Sequence, residues 1–467
     1  MINKIAFPVL LLSLLGTTAP AQAQESWSLD KCINYALKNN LTHRTYELDE
    51  QTAKIDATQS KLNLLPSVSA SASAGTNYGR SVDLNSYNVI NTDFFSNSNT
   101  LSSSVGLFHG FIQTNRIAYM KFRLKAAQWK KINYQDDLAF DVLSAYYDVI
   151  YYQGLVAISK EQLGLSEFNL KKTEAQIGAG IKAKTDLAEM QATYEKEKLN
   201  LIQAENKQEE TRLKLVQQMN LPAGESVDVV NREAMPVVVP DLPSAADSLY
   251  ASFVQLSPYV KMARAELDAA SKNVAMARGQ YFPSVYLDAS VSTGYYETNK
   301  DANGKTISFP DQFDNNMNQY VGVSISIPVF SRNEVRSEFR KAKLAKEQAR
   351  TQLDIYKQTV YYELMNNTRD LQALFREYVQ TQKQVEANEL AYKAAQRKYD
   401  EGLIDVIELL TVKSRLGESR SNLLSAELQW RIKDKILDFY EGVRFWEGKE
   451  NGEGNPEAGE PKTLSGS

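Results

Sequence analysis

A single cysteine, Cys32, stands in a chain of 467 residues, so no disulfide within the chain can staple the fold. The stretch before it, Ser28-Leu29-Asp30-Lys31, lacks the small apolar residues of a lipid-modified cysteine, which leaves a partly buried structural thiol. Only two histidines are present, His43 and His109, almost no material for a histidine metal site or a catalytic triad. Acidic residues are plentiful, but no two are set in contrasting environments as acid–base work requires. No enzyme, metal or cofactor is therefore expected. Lys and Arg, 53 in all, are interspersed with 57 Asp and Glu for a net charge of −4, with no basic stripe for nucleic acid. Beyond the first residues, no apolar run approaches the roughly 18 of a membrane helix, so any crossing of a membrane must be made by strands. Proline is missing from 67–221 and again from 329–455, which leaves room for very long helices.

What is present begins with Lys4, the apolar run 5–15 and Ala21-Gln22-Ala23, the order of a secretory leader. Residues 1–23 are expected to be an export signal, with the mature chain starting at Gln24. The chain then contains itself twice. Adding 222 to the residue number pairs Phe108 with Phe330, Tyr134 with Tyr356, Gly180 with Gly402, Leu187 with Leu409 and Leu215 with Leu437. Upstream the shift is 217, and Pro66-Ser67-Val68 pairs with Pro283-Ser284-Val285. A constant register over so many residues implies two copies of one structural unit.

In the second copy, steps of three and four run through Leu353, Tyr356, Val360, Leu364, Leu371, Tyr378, Val385, Tyr392 and Tyr399. In the first, Tyr134, Leu138, Val142, Ala145, Val149, Val156, Leu163, Leu170 and Ile177 mark the matching seam. Helices are expected at about 112–177 and 333–400, each followed by a glycine turn and a returning helix, 185–219 and 407–444. Thr185 and Asp186 supply start signals for the first return. Shorter helices precede the strands, at 29–39, 42–64, 245–255 and 257–281. The apolar seams are narrow and broken by Lys, Glu, Gln and Asn, as suits a single-layered wall wetted on both faces; an antiparallel coiled coil has the same periodicity.

Strands are expected at about 66–79, 100–109, 283–296 and 320–329. Ser67 to Ala74 alternates polar and apolar without error, and Val321, Val323, Ile325, Ile327 and Val329 alternate with Gly322, Ser324, Ser326 and Pro328. Ten-odd residues of such alternation suit a tilted strand with lipid on one side and water on the other. The polar side, mostly Ser and Gly, would leave an open lumen. Tyr78 and Tyr295 stand at strand ends, where an aromatic girdle belongs. The segments 80–100 and 297–319, rich in Asn, Ser, Asp and Thr, are expected as solvated outer loops. Four strands cannot close a barrel in lipid, so the pore must be shared: eight strands from a dimer, twelve from a trimer.

Duplicated strand–strand–helix–helix halves behind an export signal resemble the TolC-like outer-membrane efflux family. The similarity is carried by 62–68 with its repeat at 281–285, by Ile327-Pro328-Val329-Phe330, and by the tip segments 180–187 and 399–409. It spans the mature chain apart from the tail. The first copy departs from the pattern, with Gly106-Leu107-Phe108 where the second has Pro328, and the acylated N-terminal cysteine of many relatives is missing. The resemblance implies an α+β membrane protein: a homotrimer whose 12-stranded β-barrel, set in outer-membrane lipid, continues into a long α-helical barrel. It divides the chain into a first repeat, 24–223, an equatorial linker, 224–244, with a short strand at Val237-Val238-Val239, a second repeat, 245–447, and a disordered Gly/Glu/Pro-rich tail, 448–467. It implies a passive exit duct of a tripartite efflux or type I secretion system in the Gram-negative outer membrane, reaching into the periplasm. Its partners would be a periplasmic adaptor (a membrane fusion protein) and an inner-membrane transporter. The alternative is an exported periplasmic coiled-coil adaptor or scaffold without a barrel.

The resemblance also assigns the tips. Asp186 and Glu408 match acidic positions that ring the periplasmic entrance, with Asp405 nearby, and Tyr399 matches a position linked to holding it closed. Helix capping for Asp186, a first-turn dipole contact for Glu408 and seam packing for Tyr399 are the simpler roles. Gly180 and Ile181, with Gly402 and Leu403, look like the adaptor-docking tips. Lys182 and Lys184 have no counterparts in the second copy and could pair with these acids.

Overall fold

The structure is a computed structural model and describes residues 26–82, 89–222, 224–229 and 246–446. The expected export signal, the Val237-Val238-Val239 segment and the tail lie outside the described residues. The first half runs β1 (Ser26–Trp27), α1 (Leu29–Asn39), α2 (Leu41–Leu62), β2 (Ser67–Asn77), β3 (Arg80–Val82), β4 (Val89–Asn91), β5 (Phe94–His109), α3 (Ile112–Gly178), α4 (Lys184–Met219) and β6 (Asp228–Val229). The second runs α5 (Ala246–Leu256), α6 (Pro258–Gly279), β7 (Ser284–Tyr296), α7 (Phe309–Asn315), β8 (Asn318–Ser326), α8 (Glu334–Asp400) and α9 (Val406–Tyr440). Both long helices have 67 residues, and α8 begins and ends 222 residues after α3. At 1.5 Å per residue each is about 100 Å long. Even the strand-to-helix turns repeat: Gly110 and Phe111 have positive φ, as do Arg332 and Asn333.

The four main strands form one antiparallel sheet in the order β2-β5-β7-β8. Its register sorts the faces. Val68, Ser103, Ala289 and Val321 lie in one row across the sheet, and Val105, Leu287 and Val323 in another on the same side. The opposite side carries Ser67, Ser104, Asp288 and Gly322, then Ser69, Ser102, Ser290 and Tyr320. The apolar face is bare: Val321 is 75 % exposed and Ile325 65 %.

The helices below repeat the strand order, because each strand runs straight into its helix. Beneath the sheet, α2, α3, α6 and α8 lie side by side. Further down, α4 packs on α3, and α9 fills the space between α3 and α8 that α6 fills above. The short helices thus stack end to end with the returning ones. Asn40 donates to the Gln218 carbonyl (3.1 Å) and the Leu41 amide donates to Asn220 Oδ1 (3.2 Å), joining α2 to α4. The principal core lies at this mid-height, where Ile33, Cys32, Leu138, Val142, Leu215 and Trp446 pack together beside the short β1–β6 pair.

Three sequence expectations need correction. The strand placed at 320–329 ends at Ser326, because Pro328 has no N–H to continue the ladder; Ile327 and Val329 lie beyond it. The described residues of the outer segment 80–100 are largely strand: β5 starts at Phe94, its Ser/Asn-rich first residues held between β2 and β7. The segment 297–319 contains the helix α7, announced by the capping pattern Ser308-Phe309-Pro310-Asp311. Where the second copy uses Pro328, the first uses a bulge between Gly106 and Phe108. His109 folds back so closely that a side chain at Gly106 would strike its ring, 1.7 Å from Cε1.

Candidate functional site

The lower tips are built twice to one plan. Each long helix closes with a glycine of φ +75°, Gly180 or Gly402, a conformation that glycine adopts at least cost. The amide of Ile181 then donates to the Gln176 carbonyl (2.9 Å), as that of Leu403 does to Lys398 (2.8 Å). Ile181 and Leu403 are each 68 % exposed. Ordinarily the apolar residue after such a glycine packs back on the last helical turn. Here both face outward.

Above the tips the two hairpins are joined. Tyr399 is buried in a cluster with Met190, Ala395, Val406 and Leu409. Its hydroxyl meets Thr173 Oγ1 at 3.4 Å, and the Lys182 ammonium lies 3.9 Å above its ring and donates to its carbonyl (3.4 Å). Burial pushes the Tyr399 phenol up, helped by the charges of Asp186 and Asp400. Lys172 bonds Asp400 at 2.6 Å, and Gln396 and Tyr392 extend the chain of contacts to Asn169. Asp186 is thus near enough for its charge to act on Tyr399. Asp405 serves a different purpose: it caps α9, accepting from the Glu408 amide at 2.8 Å. Glu408 lies in the first turn with its side chain exposed. Asp186 lies in the first turn of α4, which starts at Lys184 behind Ala183 with no side-chain cap, so Thr185 and Asp186 follow the start rather than make it.

Sequence reasoning missed the contacts higher up. On lower α3 the fully buried line is polar, Gln162, Ser166, Asn169 and Thr173, while Leu163, Leu170 and Ile177 are only half-buried. Lys413 of α9, 1 % exposed, reaches Ser166 at 2.5 Å and Glu197 at 3.0 Å, and burial lowers its pKa. Arg420 bridges Glu161 at 2.6 Å and Glu389 at 2.7 Å. The signal was available: Lys413 and Arg420 occupy the α9 seam of Leu409 and Leu416, where apolar residues are expected. On the polar face of the sheet, Asp288 accepts from Ser104 (2.7 Å) and Ser324 (3.1 Å), a carboxylate among small hydroxyls. Among the described residues no cluster of metal-ligating side chains occurs. No helix among them is long and apolar enough to cross a membrane.

The model of the family "Outer membrane efflux protein" matches residues 32–221 and 249–442. Over 437 residues the sequence is 23 % identical to Outer membrane protein TolC of Escherichia coli (strain K12), covering 92 % of this chain and 84 % of that one. Among solved structures, the CmeC outer membrane channel of Campylobacter jejuni superposes with a TM-score of 0.79 at 15 % identity, covering 95 % of this chain and 94 % of its own. The outer membrane protein VceC of Vibrio cholerae gives 0.76 at 16 % identity, over 89 % and 96 %.

Proposed function

Because this chain belongs to the outer membrane efflux protein family, we propose that it works as a homotrimeric exit duct, opened from below by an adaptor and an inner-membrane transporter. The observation that carries this is the sheet: one face apolar and bare, the other lined by serines, and both edges, β2 and β8, unpaired. An open edge in lipid leaves backbone groups unsatisfied, so β8 of one protomer must pair with β2 of another. Three protomers give twelve strands, and the helices, in the same order, continue the wall downward. A scaffold without a barrel would have no use for a bare apolar sheet face.

At the tips, Asp186, Asp405 and Glu408 supply negative charge at the entrance, brought together three-fold by the trimer. The Tyr399 cluster holds the hairpins together, and Ile181 and Leu403 offer the adaptor two matched apolar knobs. Outer membranes washed with carbonate, run on gels without heating and reconstituted in planar bilayers, test the proposal. A heat-modifiable trimer that conducts is expected; a dimer, or release into the soluble fraction, would sink it.

A further inference from the structure

We propose that α7 is a lipid-contacting foot, laying its phenylalanines into the outer boundary of the membrane against the outside of the barrel. The side of the sheet on which α7 docks can be read from its bonds. Thr293 shares a row with Ala72 and Asn99 on the apolar face, and its hydroxyl donates to the Phe313 carbonyl at 2.5 Å. Tyr295, on the same face, packs against Phe309 with ring centroids 5.5 Å apart, and Phe95 continues the aromatic group at 6.1 Å. The strand side is fixed by polar contacts. Buried Gln312 accepts from the Tyr296 amide and donates to the Tyr296 and Ile307 carbonyls, each at 3.0 Å, while Asn316 donates to the Gly294 carbonyl at 2.7 Å. A helix of seven residues has no stability of its own, so these bonds are what hold it.

With its polar anchor turned inward, α7 presents Phe309, 46 % exposed, beside the stacked ring of Phe313. The height suits a membrane boundary. From Ser284 to Tyr295 is 11 steps of about 3.3 Å, or roughly 26 Å of depth at a tilt near 45°, against an apolar band of about 25 Å. The principal contacts of the foot are with β7 and, through Phe95, with β5, the two central strands, and Asn316 and Met317 link it to the outer end of β8. The patch lies on the apolar side of the sheet, separated from Leu101 and Val291 only by the polar row of Asn97, Asn99 and Thr293, as a membrane boundary would be, so its occupant is lipid.

The inference rests on that face being the lipid side, and the experiment separates the two. Nitroxides are placed at Phe309→Cys, Phe313→Cys, Val323→Cys and Asn303→Cys, with Cys32 left in place because it is buried. Collision with oxygen and with a water-soluble nickel chelate is measured in vesicles of phosphatidylethanolamine and phosphatidylglycerol. Labels at 309 and 313 are expected to favour oxygen several-fold over the label at 303, approaching the label at 323. A lipid-like 323 with 309 and 313 as wet as 303 would overturn the foot alone. A wet 323 would overturn the orientation of the sheet, and the foot with it.

Discussion

Cys32 is fully buried among Ile33, Leu138 and Val142, and burial pushes its thiol up to about 12. The thiolate is the reactive form, so maleimide at pH 8 should leave the folded protein unlabelled and modify it only after denaturation. Fast labelling in the folded state would contradict the packing of α1 on α3. The tip acids divide by what each side chain already does. Asp405 is engaged by its cap, and Asp405→Ala should cost about 0.5–2 kcal/mol through the lost hydrogen bond, read as a lower melting temperature. Glu408 is exposed, and its proposed role is in the field of the entrance. Glu408→Ala should leave the melting temperature in place, raise single-channel conductance and weaken block by multivalent cations. Unchanged conductance and block would remove Glu408 from the entrance.

A strand's two faces differ by one residue in register, which makes the sheet easy to interrogate. Ala289 lies at mid-strand on the apolar face of β7, with Ser290 beside it on the polar face. A lysine facing lipid at mid-depth costs about 2–4 kcal/mol, so Ala289→Lys should sharply reduce membrane assembly while Ser290→Lys assembles. Equal outcomes would refute the facing. These strands were legible because apolar and polar residues alternate along most of them, and the long helices because seams such as Leu353–Val360–Leu364 recur at helical spacing. The first turns of β5 were not, since Ser96, Asn97 and Ser98 carry no apolar contrast and are held by their neighbours. Nor was the end-to-end stacking of α9 beneath α6, which depends on packing between distant segments. At that junction a cavity of about 490 Å³ is lined by Asp137, Glu363, Tyr259 and Tyr440, and partial loss of hydration raises the carboxyls of Asp137 and Glu363, although both side chains keep an exposed edge. Groups raised in the folded state add stability below their unfolded pKa and lose it as pH rises through the folded one. Glu363→Gln should therefore raise the melting temperature at pH 7 and bring no gain at pH 4; an equal gain at both would remove the carboxylate's charge from the explanation.

Taken from top to bottom, the molecule is a wall one element thick whose adhesive changes with height. Around mid-height the hairpins share an apolar core with Leu138, Val142, Leu428 and Trp446, and parting them there would expose it. Below Arg420 the line of α3 that meets α8 and α9 is polar, and its hydrogen bonds can be exchanged for water at small net cost. The buried Lys413–Glu197 pair marks the divide, since leaving one such charge unpaired costs several kcal/mol. Lys172–Asp400, each about a third exposed, is of the cheap kind, worth up to about 1 kcal/mol. Apart from the small Tyr399 cluster, the lower hairpins are thus the part of the wall whose parting exposes least apolar surface while the mid-height core stays closed, as the proposed entrance would require. This polar lower seam escaped the sequence because Gln162, Ser166, Asn169 and Thr173 keep helical spacing without being apolar. Reversing one charge of the pair tests the arrangement. Lys172→Glu places a carboxylate against Asp400 and should raise single-channel conductance, and adding Asp400→Lys should restore the original value by reforming the pair with its signs exchanged. An increase that survives the exchange would mean that Lys172 acts through the field of the entrance. No increase in the single variant would mean that the hairpins are held together elsewhere.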